Sequence, residues 1–168
     1  WMPFNDSTVP ILDASGYGNV GTPYKGVAWE SLYGGDYNFD GTNDYINVSD
    51  TPSLDGSGTW SSLSIEFWVR PDSTNPLGQR ILRKGPNVGT GVNSYQVGFQ
   101  SGNGRLYFDI WHPNGIASAY YEVEYTTLLN AGVLYHVVCV YVYDVGSKIF
   151  VNGVDVNAVR VGTTGSLS

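Results

Sequence analysis

Residues 62–70 read "SLSIEFWVR", in which apolar and polar side chains alternate one for one. A helix repeats its apolar stripe every three or four residues, so this period belongs to a strand. Leu63, Ile65, Phe67 and Val69 take one face, and Ser64, Glu66, Trp68 and Arg70 the other. "SYQVGFQ" repeats the pattern with Tyr95, Val97 and Phe99 inward. "RLYFDIW" does so with Leu106, Phe108 and Ile110 inward and Tyr107, Asp109 and Trp111 outward. The intervening "SGNG" predicts a hairpin, because Gly102, Asn103 and Gly104 tolerate positive φ. "LYHVVCVYVY" (134–143) is apolar on both faces, as a central strand covered on both sides would be. It leads into "SKIFVNGVDV", where Asn152-Gly153 is the preferred dipeptide of a two-residue hairpin turn.

No stretch carries a sustained helical period. Turn clusters recur instead at "DASGYGNVG", "DGSG", "RPDSTNP", "KGPNVGTG", "HPNG" and "YDVGS". With 22 glycines and only 14% charged residues, the composition suits short strands joined by tight turns. The prediction is an all-β fold, an antiparallel two-sheet β-sandwich of jelly-roll type, spanning residues 1–168 as a single domain.

The net charge of −7 argues against nucleic acid and against anionic membrane surfaces as partners. No apolar run approaches the roughly 18–20 residues of a membrane-spanning helix, so membrane insertion is not expected. The chain opens at Trp1 without a secretory signal pattern, and reads as an excised or processed segment. Cys139, in "VVCVYV", has no intrachain partner and reads as a small buried hydrophobe. The triplets Asn5-Asp6-Ser7 and Asn47-Val48-Ser49 are short enough to arise by chance.

The order of the segments is more specific than any one of them. "WMPFNDS", "DASGYGNVGT", "YNFDGTNDYINVSDTPSL", "SLSIEFWVRPDS", "ILRKG", "YQVGFQSGNGRLYFDI" and "LYHVVCVYVYDVGSKIFVNGVDV" together resemble the concanavalin A-like, laminin G-like domains, from residue 1 to about 156. The subgroup resembled is common as accessory modules of secreted and surface multidomain proteins. The resemblance therefore implies an extracellular or cell-surface setting. Two departures stand out. Tyr135 replaces a usual Trp, and the family continues beyond the "FVNGVDV" hairpin with a strand or two returning beside the first strand, whereas this sequence stops at "VGTTGSLS". The sandwich is thus expected to lack its final strand, or to receive it from another segment. Such an edge would be a joint for neighbouring subunits or domains.

Two groups of residues are candidates for chemistry. "FDGTNDYINV" places Asp40, Asn43 and Asp44 within five residues, and "DASGYGN" adds Asp13 and Asn19 near a Gly-rich bend. Ca²⁺ takes six to eight oxygens from such groups, and the resemblance implies Ca²⁺ without fixing its ligands. The alternative is a hairpin corner, with Asp40-Gly41 and Asn43-Asp44 supplying turn chemistry and Phe39 and Tyr45 in the core. "YFDIWHPNG" and "SAYYEVEY" supply Trp111, His112, Asn114, Tyr120 and Tyr121 at or beside one loop. Aromatic faces stacking on pyranose rings, with amides beside them for the hydroxyls, form a glycan-binding composition.

Catalysis is less well served. Glu122 and Glu124 would share a strand face, as the carboxylates of a retaining glycosidase do, but the run lacks the fuller acidic pattern of concanavalin A-like glucanases, and a solvated face is the simpler reading. His112, His136 and Cys139 do not form a zinc pattern, and His136 reads as a satisfied structural histidine. Trp68 sits where the family keeps a structural Trp. The expectation is a non-catalytic module binding a glycan or glycoprotein. A structural or assembly domain completed by strand addition is the alternative, with a glycoside hydrolase a distant third.

Overall fold

The computed structural model describes residues 2–4, 7–54, 61–74, 76–85, 94–112, 119–143, 145–156 and 159–164. The chain forms two compact units, Trp1–Asp55 and Gly56–Ser168.

In the first unit, β1 (Gly21–Tyr24), β2 (Ala28–Glu30), β3 (Asp36–Asn38) and β4 (Tyr45–Val48) make two short antiparallel ladders, β1 with β4 and β2 with β3. Ile11 bridges to Gly21 and is 2% exposed. A Cβ on Gly21 would lie 2.9 Å from the Ile46 side chain, so only glycine lets the strands close here. Asn19 is buried and donates from Nδ2 to Ser53 Oγ at 2.9 Å, while the Thr51 hydroxyl donates to Asn19 Oδ1 at 2.6 Å.

The stretch 39–44 departs from the sequence expectation. It is not a hairpin corner but a link from the β2–β3 ladder to the β1–β4 ladder. Phe39 and Tyr45 are exposed rather than in the core. Ile46 and Val48 take the more sheltered positions of β4, and Tyr45 instead stacks on Tyr24, its partner in register, with centroids 5.1 Å apart.

The second unit is a sandwich of two antiparallel sheets. Its strands are β5 (Ser62–Val69), β6 (Arg80–Lys84), β7 (Ser94–Phe99), β8 (Leu106–His112), β9 (Ala119–Glu124), β10 (Tyr135–Val142), β11 (Gly146–Val151), β12 (Val154–Asp155) and β13 (Val159–Thr164). One sheet has the order β12-β11-β10-β5 and the other β13-β9-β8-β7-β6. The core lies between them. Ile65, Val137, Cys139, Tyr141, Ile149 and Val151 of the first sheet meet Tyr95, Val97, Phe99, Leu106, Phe108, Ile110 and Val123 of the second. The alternation in β5, β7 and β8 therefore aims the side chains that the period dictates, and their burial is the main stabilising term of this unit.

Three local features complete the topology. Asn152 and Gly153 both have positive φ, as the tight β11–β12 turn demands. Val159–Thr164, to which the sequence assigns no element, pairs with β9, with an irregularity between Arg160 and Gly162. β10 is central in its sheet, but its outward side chains are not covered as expected: Val138 and Val140 are half-buried and Val142 is exposed.

Cys139 has no exposed surface, and burial pushes its thiol up to about 12. A thiol-specific reagent at about pH 8 is therefore expected to leave native protein unlabelled and to label it fully once guanidinium unfolds the chain. Rapid labelling of the native protein would contradict this core.

Candidate functional site

The outward face of the five-stranded sheet carries the densest polar cluster described. Alternation puts Gln96, Tyr107, Asp109, Glu122 and Glu124 opposite the core side chains of β7, β8 and β9. Register aligns them in two rows: Gln96 faces Asp109, which faces Glu122, and Gly98 faces Tyr107, which faces Glu124. Asp109, Glu122 and Glu124 are only 3%, 7% and 6% exposed, so Glu122 and Glu124 do not form the solvated face the sequence suggests.

The physical reason lies in donors that strand periodicity cannot reveal. Like charges directly opposite across a ladder repel, and a buried carboxylate needs hydrogen-bond partners. Gln96 Nε2 donates to Asp109 Oδ2 at 2.7 Å, and Arg80 Nε donates to Gln96 Oε1 at 3.4 Å. Gln100 Nε2 donates to Glu122 Oε1. Asn103 Nδ2 and Arg105 Nη1 donate to Glu124 Oε1 at 2.7 and 3.3 Å. The β7–β8 turn thus folds its amides over the carboxylates.

Tyr107 completes the face. Burial, reinforced by the Asp109 carboxylate, raises its phenol above the ordinary value. A Cβ on Gly98 would lie 2.6 Å from the Gln79 carbonyl oxygen and 3.1 Å from the Tyr107 hydroxyl, so glycine is what allows the ring to lie across β7.

Trp111 continues the same alternation at the end of β8, and is half-buried. Its register partners are Ser94 and Tyr120, while Tyr121 faces Ile110 and His112 faces Ala119. The backbones of Trp111, His112, Tyr120 and Tyr121 therefore meet at one end of the β8–β9 pair. The side chains of His112, Tyr120 and Tyr121, and Asn114 altogether, lie outside the described residues.

The cation candidates are engaged in their own turns. Asp40 Oδ1 accepts from the Thr42 and Asn43 N–H groups at 2.7 and 3.4 Å, and Asp44 Oδ2 accepts from the Asp40 N–H at 3.0 Å. Asp13 Oδ1 and Oδ2 accept from the Ser15 and Asn19 N–H groups at 2.8 and 3.0 Å. Asp44 Oδ1 is buried without a hydrogen-bond partner among the described residues, as is Asp36 Oδ1. No group of three His, Cys, Asp or Glu that could share an ion occurs among those residues. Two carboxylates and one amide in a single link would supply part of the six to eight oxygens that Ca²⁺ takes.

Trp68, on the outward face that the alternation of β5 gives it, is 65% exposed. His136 is satisfied as expected, its Nε2 lying 2.8 Å from Glu66 Oε1.

Hydrogen bonds from the Ser15 side chain and from the Ser15 and Asn19 backbone hold the Asp13 carboxyl well below the usual carboxylate range. A depressed folded-state value stabilises above the unfolded value and is lost as pH falls through the folded one. Asp13→Ala is thus expected to lower thermal stability at about pH 7, with the difference from the parent shrinking as pH drops below 3.8. A deficit that stayed constant with pH would contradict the role given to these hydrogen bonds.

No curated protein and no solved structure matches this chain. A family model of the laminin G type, described as the concanavalin A-like lectin/glucanases superfamily, matches residues 40–167. That range includes the whole described sandwich, with both its core and its buried polar face. The chain therefore belongs to the concanavalin A-like lectin/glucanase superfamily, as a laminin G-like domain.

Proposed function

We propose that this domain is a non-catalytic recognition module of an extracellular or cell-surface protein, and that it binds carbohydrate, free or on a glycoprotein, at the Trp111 end of the five-stranded sheet. Domains of this superfamily often bind carbohydrate, and the laminin G-like ones are generally non-catalytic and typically extracellular. Fold alone does not assign the activity. The observation that carries the reading is Trp111, a partly accessible indole on the same outward face as the Gln96–Asp109–Glu122 row. An indole offers a flat apolar surface to the CH face of a pyranose, and a rigid polar sheet beneath it limits the entropy lost on binding.

The carboxylates themselves favour recognition over hydrolysis. A glycosidase needs one carboxyl to donate a proton and another to act as base or nucleophile. Here Asp109, Glu122 and Glu124 each accept a hydrogen bond from an amide, which suits a supporting network. Calcium, if it takes part, would use Asp44 Oδ1 with Asp40 and Asn43, and Asp13 would stay in its own turn.

One observation supports a second reading, assembly by strand addition. β5, eight residues long, ends its sheet, with no strand on its far side among the described residues.

A glycan array probed with the 168-residue chain tests both. Binding with Kd on the order of µM to mM is expected. Trp111→Ala should weaken it by about tenfold or more, that is by about 1.4 kcal/mol. Binding unaffected by that substitution would remove Trp111 from the site. No binding on any glycan, with a solution mass that grows with concentration, would favour assembly.

A further inference from the structure

The outward face of the four-stranded sheet carries a separate arrangement. Trp68, 65% exposed, faces His136 in register, and the indole lies over the imidazole with centroids 4.8 Å apart and planes at 34°. His136 Nε2 is 2.8 Å from Glu66 Oε1. The His136 N–H donates to Asn152 Oδ1 at 3.0 Å, and the Asn152 N–H donates back to the His136 carbonyl at 2.8 Å. The indole is therefore exposed yet supported from beneath, on an imidazole fixed at its ring and its backbone. Beside it Val138 stands between Glu66 and Phe150 in register, and Lys148 pairs with Asp155 at 2.7 Å.

We propose that the Trp68–His136–Glu66 platform is a second carbohydrate site, taking the apolar face of a neutral pyranose on the indole and its hydroxyls on Glu66. The proposal rests on the carbohydrate reading above but uses the opposite sheet from Trp111. Three observations carry it. β10 is written for burial on both faces, yet its outward valines are only partly covered. The aromatic surface is held in place before any ligand arrives, which reduces the ordering cost of binding. The surface is also bordered by ions: an apolar protein partner would have to strip water from Glu66 and from the Lys148–Asp155 pair, whereas a sugar edge replaces that water with hydroxyls. The net charge of −7 and the carboxylate at the platform select a neutral sugar over a sulfated or uronic one.

Affinity electrophoresis of the whole chain tests the site, in gels containing galactomannan, xyloglucan, β-1,3-glucan or heparin. The variants are Trp68→Ala, Trp68→Phe, Trp111→Ala and the double alanine variant, each with its thermal midpoint and solution mass. In a neutral polysaccharide that retards the parent, Trp68→Ala should reduce apparent affinity by about fivefold with an unchanged midpoint. Trp68→Phe should keep most of the retardation, and the double variant should lose more than either single one. If Trp68→Ala matches the parent while Trp111→Ala abolishes retardation, the second site is overturned and the first stands. Retardation by heparin alone overturns the neutral ligand. A parent dimer that Trp68→Ala dissociates assigns the face to a second copy, and a parent retarded in no gel overturns both carbohydrate readings.

Discussion

Asp109 and Glu122 lie opposite one another on neighbouring strands, with Glu124 two residues along, and all three are buried. Left unpaired, that arrangement would be unfavourable twice over, through repulsion across the ladder and through desolvation of each charge. Much of the second sheet is organised around meeting this constraint. Gln96 must project beside Asp109, the β7–β8 turn must bring Gln100, Asn103 and Arg105 over the glutamates, and Gly98 must leave room for Tyr107. Satisfied networks of this kind rigidify the element that carries them. Trp111 stands at the end of that element, where the proposed recognition surface lies.

The sandwich was written in the chain plainly enough, because a two-residue period fixes which side chains face inward. Ile65, Val97, Phe108 and Ile110 are core residues as β5, β7 and β8 require. Period alone does not choose partners. That is why 39–44 reads as a hairpin corner although it passes between two ladders, and why Phe39 and Tyr45 read as core although they are exposed. The weak alternation of "VRVGTT" likewise gives little sign of β13.

The site was less legible. Nothing in "EVEY" signals that Glu122 and Glu124 are buried, because their partners come from a turn about twenty residues earlier in the chain. The exposure of Trp68, in contrast, was legible, because the alternation in "SLSIEFWVR" sets it on the outward face. Asp40 and Asp44 hold backbone N–H groups of their own link, the turn chemistry that Asp40-Gly41 and Asn43-Asp44 offer in the sequence.

The two sheets thus present unlike surfaces: one polar and internally satisfied with an indole at its end, the other apolar and aromatic with a charged border. The most direct test of carbohydrate recognition is a two-dimensional NMR titration that follows the indole N–H signals of the five tryptophans while a neutral oligosaccharide is added. The account predicts saturable shifts at Trp68 and Trp111, each removed by its own substitution, with the other three signals in place. Shifts confined to other tryptophans, or no shifts with any oligosaccharide tried, would contradict it.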